Sequence, residues 1–287
     1  MSLDRSTRRR LSSLGRSGTP GPAPEAAPAP APRRRLLSVG EAEEVHGTLE
    51  ELLPGVIQEI EEGEYYELLT PLAEVGQWAV EAVAGWAEHA RQGRFPHSSV
   101  SEAGNLGPEN VVFFDTETTG LNHTPLFLVG LLCHENGEPC LRQLLARDYA
   151  EEAPVLNASR RLLARAGLVV SYNGTTFDLP YLRNRLRYHR LPQLRLKGHL
   201  DLLHVARSRI GRAYGNCKLQ TLERHMCCRQ RCADIPGAEI PQAYHDFVAD
   251  GDACRLKRII EHNIYDVITL AELSGQLAVE AQQTPSQ

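Results

Sequence analysis

A chain of 287 residues that is 42% hydrophobic has material for one large domain with an appendage. No stretch is apolar and long enough to span a bilayer. Seven cysteines, an odd number, argue against a disulfide framework and for reduced thiols in a cytoplasm. The formal net charge of −5 excludes a uniformly basic surface for nucleic acid, but not a local one.

Residues 1–38 read as a disordered tail. Residues 18–32 consist almost wholly of Gly, Pro and Ala and carry no core-forming pattern. Arginine triplets flank them at 8–10 and 33–35. Residues 39–108 read as an acidic helical region ending in a linker. Residues 50–63 carry apolar side chains at helical spacing, broken by Pro54 and Gly55. Residues 73–90 repeat the theme, with Trp78 and Trp86 on one apolar stripe expected to pack on the main domain.

From Val111 the pattern changes to strands. The apolar run Val111-Val112-Phe113-Phe114 stops at Asp115-Thr116-Glu117, and a small polar turn with Gly120 follows. Strand side chains alternate faces, so Asp115 and Glu117 point to the same side. Two close carboxylates repel unless a cation sits between them, and a hard divalent metal suits oxygen ligands. A strand end running into a polar loop is the plain alternative. A second apolar run covers 126–133, and Glu135-Asn136-Gly137-Glu138 has the composition of a hairpin turn. A third strand near 140–145, a helix over 150–166 and a buried strand over 167–173 follow. This series predicts an α/β fold with a mixed sheet covered by helices.

The last of these strands leads to Phe177-Asp178, where a helix is expected to begin with Pro180 tolerated in its first turn. Asp178 reads as an N-cap or as a site residue at a strand-to-helix junction. Residues 258–273 form a strongly periodic helix on which His262 and Asp266, four apart, share a face. They read as a structural pair or as part of a site.

Taken together, Phe-Asp-Thr-Glu-Thr-Thr-Gly (114–120), Ser-Tyr-Asn-Gly-x-x-Phe-Asp (171–178) and His-Asn-x-x-Asp-Val (262–267) resemble the three motifs of DEDD-type exonucleases on the ribonuclease H-like fold. The closer resemblance is to the YprB-like ribonuclease H-like family, supported by His-Leu-Asp-Leu-Leu (199–203), Cys-Lys-Leu-Gln-Thr-Leu-Glu (217–223) and Asp-Ile-Pro-Gly-Ala-Glu-Ile-Pro (234–241). It covers about residues 110–280. It implies a mixed five-stranded sheet flanked by helices over 109–281, with 282–287 as a tail.

It also implies a metal-dependent 3′–5′ exonuclease that hydrolyses phosphodiester bonds. Asp115, Glu117, Asp178 and Asp266 would hold two Mg2+ or Mn2+ ions, and His262 would orient or deprotonate the attacking water. The implied partner is nucleic acid with a free 3′ end, single-stranded. A catalytically idle module that binds nucleic acid or a protein is the competing reading. The chain departs from the wider superfamily in placing His262 at the spacing used there for tyrosine. Candidate substrate contacts are Thr116, Asn173, Phe177, Asp201, Tyr214 and Lys218. Asn173 reads equally as a turn residue, and Asp201 as the N-cap of a short helix. Tyr214 and Lys218 lie in a basic stretch with Arg207, Arg209 and Arg212 that suits a backbone-tracking groove or a solvated loop.

Overall fold

Apolar runs rich in Val, Phe and Leu mark the central segments that become strands, and a computed structural model of the chain describes where they pair. The described residues are 37–39, 44–97, 106–120, 123–211 and 213–283, with the side chains of Ser38 and 280–283 excepted. The arginine-rich tail to residue 36, Arg212 and the C-terminal residues 284–287 lie outside them.

In chain order the elements are β1 (Leu37–Val39), α1 (Leu49–Leu52), β2 (Val56–Ile60), β3 (Gly63–Pro71), α2 (Leu72–Val75), α3 (Gln77–Arg91), β4 (Val111–Thr118), β5 (Leu126–Glu135) and β6 (Glu138–Leu145). Then come α4 (Glu152–Arg165), β7 (Leu168–Ser171), α5 (Asp178–Tyr188), β8 (His199–Asp201), α6 (Leu202–Arg209), α7 (Leu219–Met226), β9 (Arg229–Arg231), α8 (Ile240–Asp250) and α9 (Cys254–Gln283). Among the described residues no helix is long and apolar enough to cross a membrane.

Two expectations are corrected. Residues 37 and 38, placed in the disordered tail, belong to β1, which pairs in parallel with β9. Residues 50–63, expected to be helical, give the short α1 and then β2, which turns through Glu61 and Glu62 into β3. Val56, Ile57 and Ile60 satisfy helical spacing as well as a strand, so local pattern does not separate the two. Pairing of β3 with β6, from Tyr66↔Leu145 to Pro71↔Cys140, decides it. The helix expected over 73–90 forms as α2 and α3. Trp86 is buried and meets the Phe113 ring edge-on at 4.8 Å, so the apolar stripe does pack on the main domain.

The main sheet has the order β2-β3-β6-β5-β4-β7-β8. The five strands β6-β5-β4-β7-β8 form the expected mixed sheet, and β3 and β2 extend it at the β6 edge. β4 pairs antiparallel with β5 and parallel with β7, and β7 pairs parallel with β8. Between β5 and β6, Asn136 and Gly137 both have positive φ, 53° and 87°, which is the backbone their turn requires. From β4 the chain goes on to β5 on one side, whereas from β7 it goes on to β8 on the other. In α/β sheets the crevice at the carboxyl ends of such a strand pair is the usual place for a site. α9 lies against β4 and β5, and α3 packs along α9.

Candidate active site

Asp115 lies in the carboxyl half of β4, directly opposite Gly130 of β5, which in turn faces Gln143 of β6. Asn263 of α9 bridges this row. Its amide nitrogen donates to Asp115 Oδ2 at 2.9 Å, and its oxygen accepts from Gln143 Nε2 at 3.0 Å. Gln143 also donates to the Ile260 carbonyl, so the first carboxylate is tied to the helix that carries the last one. Asp115 is half-buried; Glu117, two residues on, is buried, and the β4–β5 register shifts between Glu117 and Thr118.

Asp178 is the first residue of α5. Its side chain does not cap the helix; it accepts from the Thr116 hydroxyl at 2.6 Å. Asp266 sits on α9 one turn after His262. Its Oδ1 accepts from Arg231 Nη2 at 2.5 Å, and its Oδ2 is 3.5 Å from His262 Nε2. The other imidazole nitrogen, Nδ1, is 2.7 Å from Asp234 Oδ1.

The structure therefore brings Asp115, Glu117, Asp178, His262 and Asp266 into one neighbourhood, and their charges feel each other. Burial raises the Asp115 carboxyl well above its usual range, and Asp266, Glu117 and Asp178 push it further. Burial lifts Glu117 to about 8; the His262 charge opposes this, while Asp266 and Asp178 add to it. Asp178 is raised to about 6 by burial, against the bond from Thr116. His262 goes the other way from a buried histidine. Burial alone would lower it, but the Asp234 hydrogen bond and the charges of Asp266 and Glu117 raise it to about 9.

Asp115 and Asp266 open onto a cavity of about 760 Å³ whose walls include Tyr172, Asn173, Arg207 and Lys218. Arg207 and Lys218 are both exposed. The Tyr172 hydroxyl donates to the Cys217 carbonyl at 2.6 Å and so holds the segment that carries Lys218.

Of the candidate substrate contacts, Asn173 and Lys218 line this cavity. Asn173 is also the turn residue, with φ of 61°. Phe177 is exposed immediately before Asp178. Three candidates are placed elsewhere. The Thr116 hydroxyl is taken up by Asp178, so it positions a site carboxylate and is not free for substrate. Asp201 is the N-cap of α6, and its carboxylate also accepts from the backbone amides of Asn173 and Thr175, at 2.7 and 3.0 Å. It shapes the turn after β7 instead of reaching into the cavity. Tyr214 is stacked on His225, with centroids 4.8 Å apart and planes within 1°, so one face of its ring is covered.

The sequence alone gives no role to Gly130, Gln143 or Arg231, nor to Asn263 and Asp234, which it shows only as members of the quoted motifs. The glycine inside the apolar run of β5 was the available signal, since a strand glycine marks a close approach. As the side chains stand, no group of three or more His, Cys, Asp or Glu among the described residues is arranged to hold a metal ion. Arg231 engages Asp266 and Thr116 engages Asp178.

The sequence model of the RNase_H superfamily matches residues 112–278, from β4 into α9. The chain belongs to the RNase H superfamily. The matched span contains Asp115, Glu117, Asp178, His262 and Asp266. A search of curated proteins finds 32% identity over 181 residues to the uncharacterized protein YprB of Bacillus subtilis (strain 168). That alignment takes in 61% of this chain and 44% of the relative, so this RNase H superfamily chain matches less than half of the relative's length. Among solved structures, the family B DNA polymerase from the archaeon Pyrobaculum calidifontis aligns over 57% of this chain and 24% of its own, at 16% identity and a TM-score of 0.46.

Proposed function

We propose that the chain is a metal-dependent nuclease, and specifically a 3′–5′ exonuclease acting on single-stranded ends. The observation that carries this reading is the convergence of buried Glu117 with half-buried Asp115 and Asp178 beside the carboxyl end of β4, close enough that burial and mutual repulsion raise all three carboxyls above their usual range. Such a cluster carries an unmet demand for positive charge, and its donors are all oxygens, which fits Mg2+ or Mn2+. Asp115, Glu117, Asp178 and Asp266 would hold two such ions. The bound ions would activate water and stabilise the departing 3′ oxygen.

The chain's own residues supply the rest. Asp234 fixes the His262 ring through Nδ1, which leaves Nε2 directed toward Asp266 and the site. Once the carboxylate charge is neutralised, less holds the proton on His262, and the imidazole can accept one from water. Asn263 fixes Asp115, and Thr116 fixes Asp178, before substrate arrives. Lys218 and Arg207 suit a phosphate backbone running through the cavity.

End-labelled single-stranded DNA and RNA, with free and with blocked 3′ ends, tests this in Mg2+ and Mn2+. Stepwise release of mononucleotides from free ends only, lost in Asp115→Asn, is expected. A ladder of internal cuts rules out the exonuclease. A second reading, an idle binding module, draws on the pairing of Asp266 with Arg231. Binding of nucleic acid without any hydrolysis would select it.

A further inference from the structure

We propose that Arg231 is a positioning residue of this site: it holds Asp266 in place and offsets part of the carboxylate charge, so that divalent cations bind less tightly but in an arrangement that supports turnover. The inference rests on the metal-dependent reading above. It begins from β9, where Arg229 and Arg231 share a strand face. Both reach Glu223, Arg229 through Oε1 at 2.7 Å and Arg231 through Oε2 at 2.8 Å. Glu223 is buried; its Oε1 accepts from Arg229 and Thr269 and its Oε2 from Arg231 Nε, so one nitrogen of Arg231 anchors the guanidinium and leaves the outer two for other partners. Those two nitrogens turn to the site. Nη2 is 2.5 Å from Asp266, Nη1 donates to the His262 carbonyl at 3.4 Å, and Asp234 lies 3.6 Å away.

The guanidinium side chain is 3% exposed, so water screens it little. Its Cζ lies 5.6 Å from the Tyr265 ring centre. Buried ion pairs are weak contributors to net stability, which leaves geometry as the better account of this one. The strand that delivers Arg231 is clamped from outside the motif region. Leu37 N donates to the Cys228 carbonyl at 2.8 Å, and Cys232 N donates to the Val39 carbonyl at 2.6 Å. Asp266 is thereby held from two sides: by its own helix and by a strand fixed through β1.

The test uses the full chain, with Mn2+ binding followed by electron paramagnetic resonance and turnover measured separately. Arg231→Met removes the charge and keeps much of the length. Mn2+ should bind on the order of tenfold more tightly, because one cation has left the cluster. At saturating Mn2+, kcat should fall about a hundredfold, because Asp266 is no longer held. Arg231→Lys keeps the charge and loses the fork. Its Mn2+ affinity should match the wild type while kcat still falls, and it carries the test if the methionine variant does not fold. Unchanged or weaker Mn2+ binding in Arg231→Met, or weaker binding in Arg231→Lys, overturns the proposal. If wild type binds Mn2+ no better than Asp115→Asn does, the metal-dependent reading itself fails and takes this one with it.

Discussion

Gly130 lies directly under Asn263: a β-carbon at position 130 would come within 1.8 Å of the Asn263 side-chain oxygen. The missing side chain is what lets α9 approach β5 closely enough for one amide to join Gln143 and Asp115. Gly130→Ala should therefore displace Asn263 and release Asp115. Overpacking of this kind costs about 1–3 kcal/mol, which denaturant unfolding will read, and turnover should fall with it. An alanine variant with wild-type stability and rate would show that the bridge is dispensable.

The buried carboxylates set a pH dependence whose sign can be worked out. Glu117 is raised from 4.5 to about 8 and His262 from 6.5 to about 9. For both, the folded chain binds the proton more tightly than the unfolded one. Each contributes stability that is fully present below its unfolded value and is lost as pH rises through its folded value. In EDTA, these two groups should make the melting temperature decline from about pH 4.5, where Glu117 begins to contribute, more steeply above about pH 6.5, where His262 joins, and on to about pH 9, and added Mg2+ should restore it most at the alkaline end. Glu117→Gln should flatten part of the slope. A profile that stays level in EDTA contradicts the picture.

Asp115→Asn, Glu117→Gln, Asp178→Asn and Asp266→Asn should each nearly abolish hydrolysis, with little further loss on combination, because the four act as a unit. The first three should hold or raise the metal-free melting temperature at pH 8, since each removes a repulsive charge. Asp178→Asn with full activity would remove it from the site.

His262→Phe should lower kcat about a hundredfold or more and leave Mn2+ affinity nearly unchanged if the imidazole handles a proton. Asp234→Asn weakens the hold on Nδ1, so it should reproduce part of that loss. Near-normal turnover in the phenylalanine variant would reduce His262 to a packing partner of Asp266.

Glu152 and Arg185 form a pair away from the chemistry, both almost fully buried. Glu152 accepts from the Leu126 amide at 2.9 Å, and Arg185 donates to the His123 carbonyl at 2.8 Å, so the pair pins the chain as it enters β5. Glu152→Gln leaves a buried guanidinium without its counter-charge and should cost about 3–5 kcal/mol in urea unfolding. A loss below about 1 kcal/mol would mean that water reaches Arg185.

Much of this was legible in the residues themselves. The Asp-x-Glu strand, the Asn136-Gly137 turn and the helix around His262 depend on local patterns, and each lies where the spacing put it. What was not legible depends on partners far along the chain. β3 becomes a strand because it pairs with β6, and β2 because it pairs in turn with β3, and no local window holds the first of these partners. Tyr214 looked like a stacking platform, but His225 already covers one face of its ring. Arg231 carries no local signal, and its place beside Asp266 came only with the parallel pairing of β1 and β9.

The β3 strand has a further consequence, for aggregation. β6 lies between β5 and β3, with Leu141, Leu144 and Leu145 buried in the core. The region shared with the superfamily starts at residue 112, beyond β3 and α3. A fragment trimmed to that region would leave β6 with a bare row of amides and carbonyls, flanked by leucines and by a Phe113 ring stripped of Trp86. An exposed, flat, apolar edge of that kind invites other chains to add strands to it. The acidic segment before Val111 acts as a guard on that edge, and a shortened protein meant to stay monomeric has to begin ahead of α1.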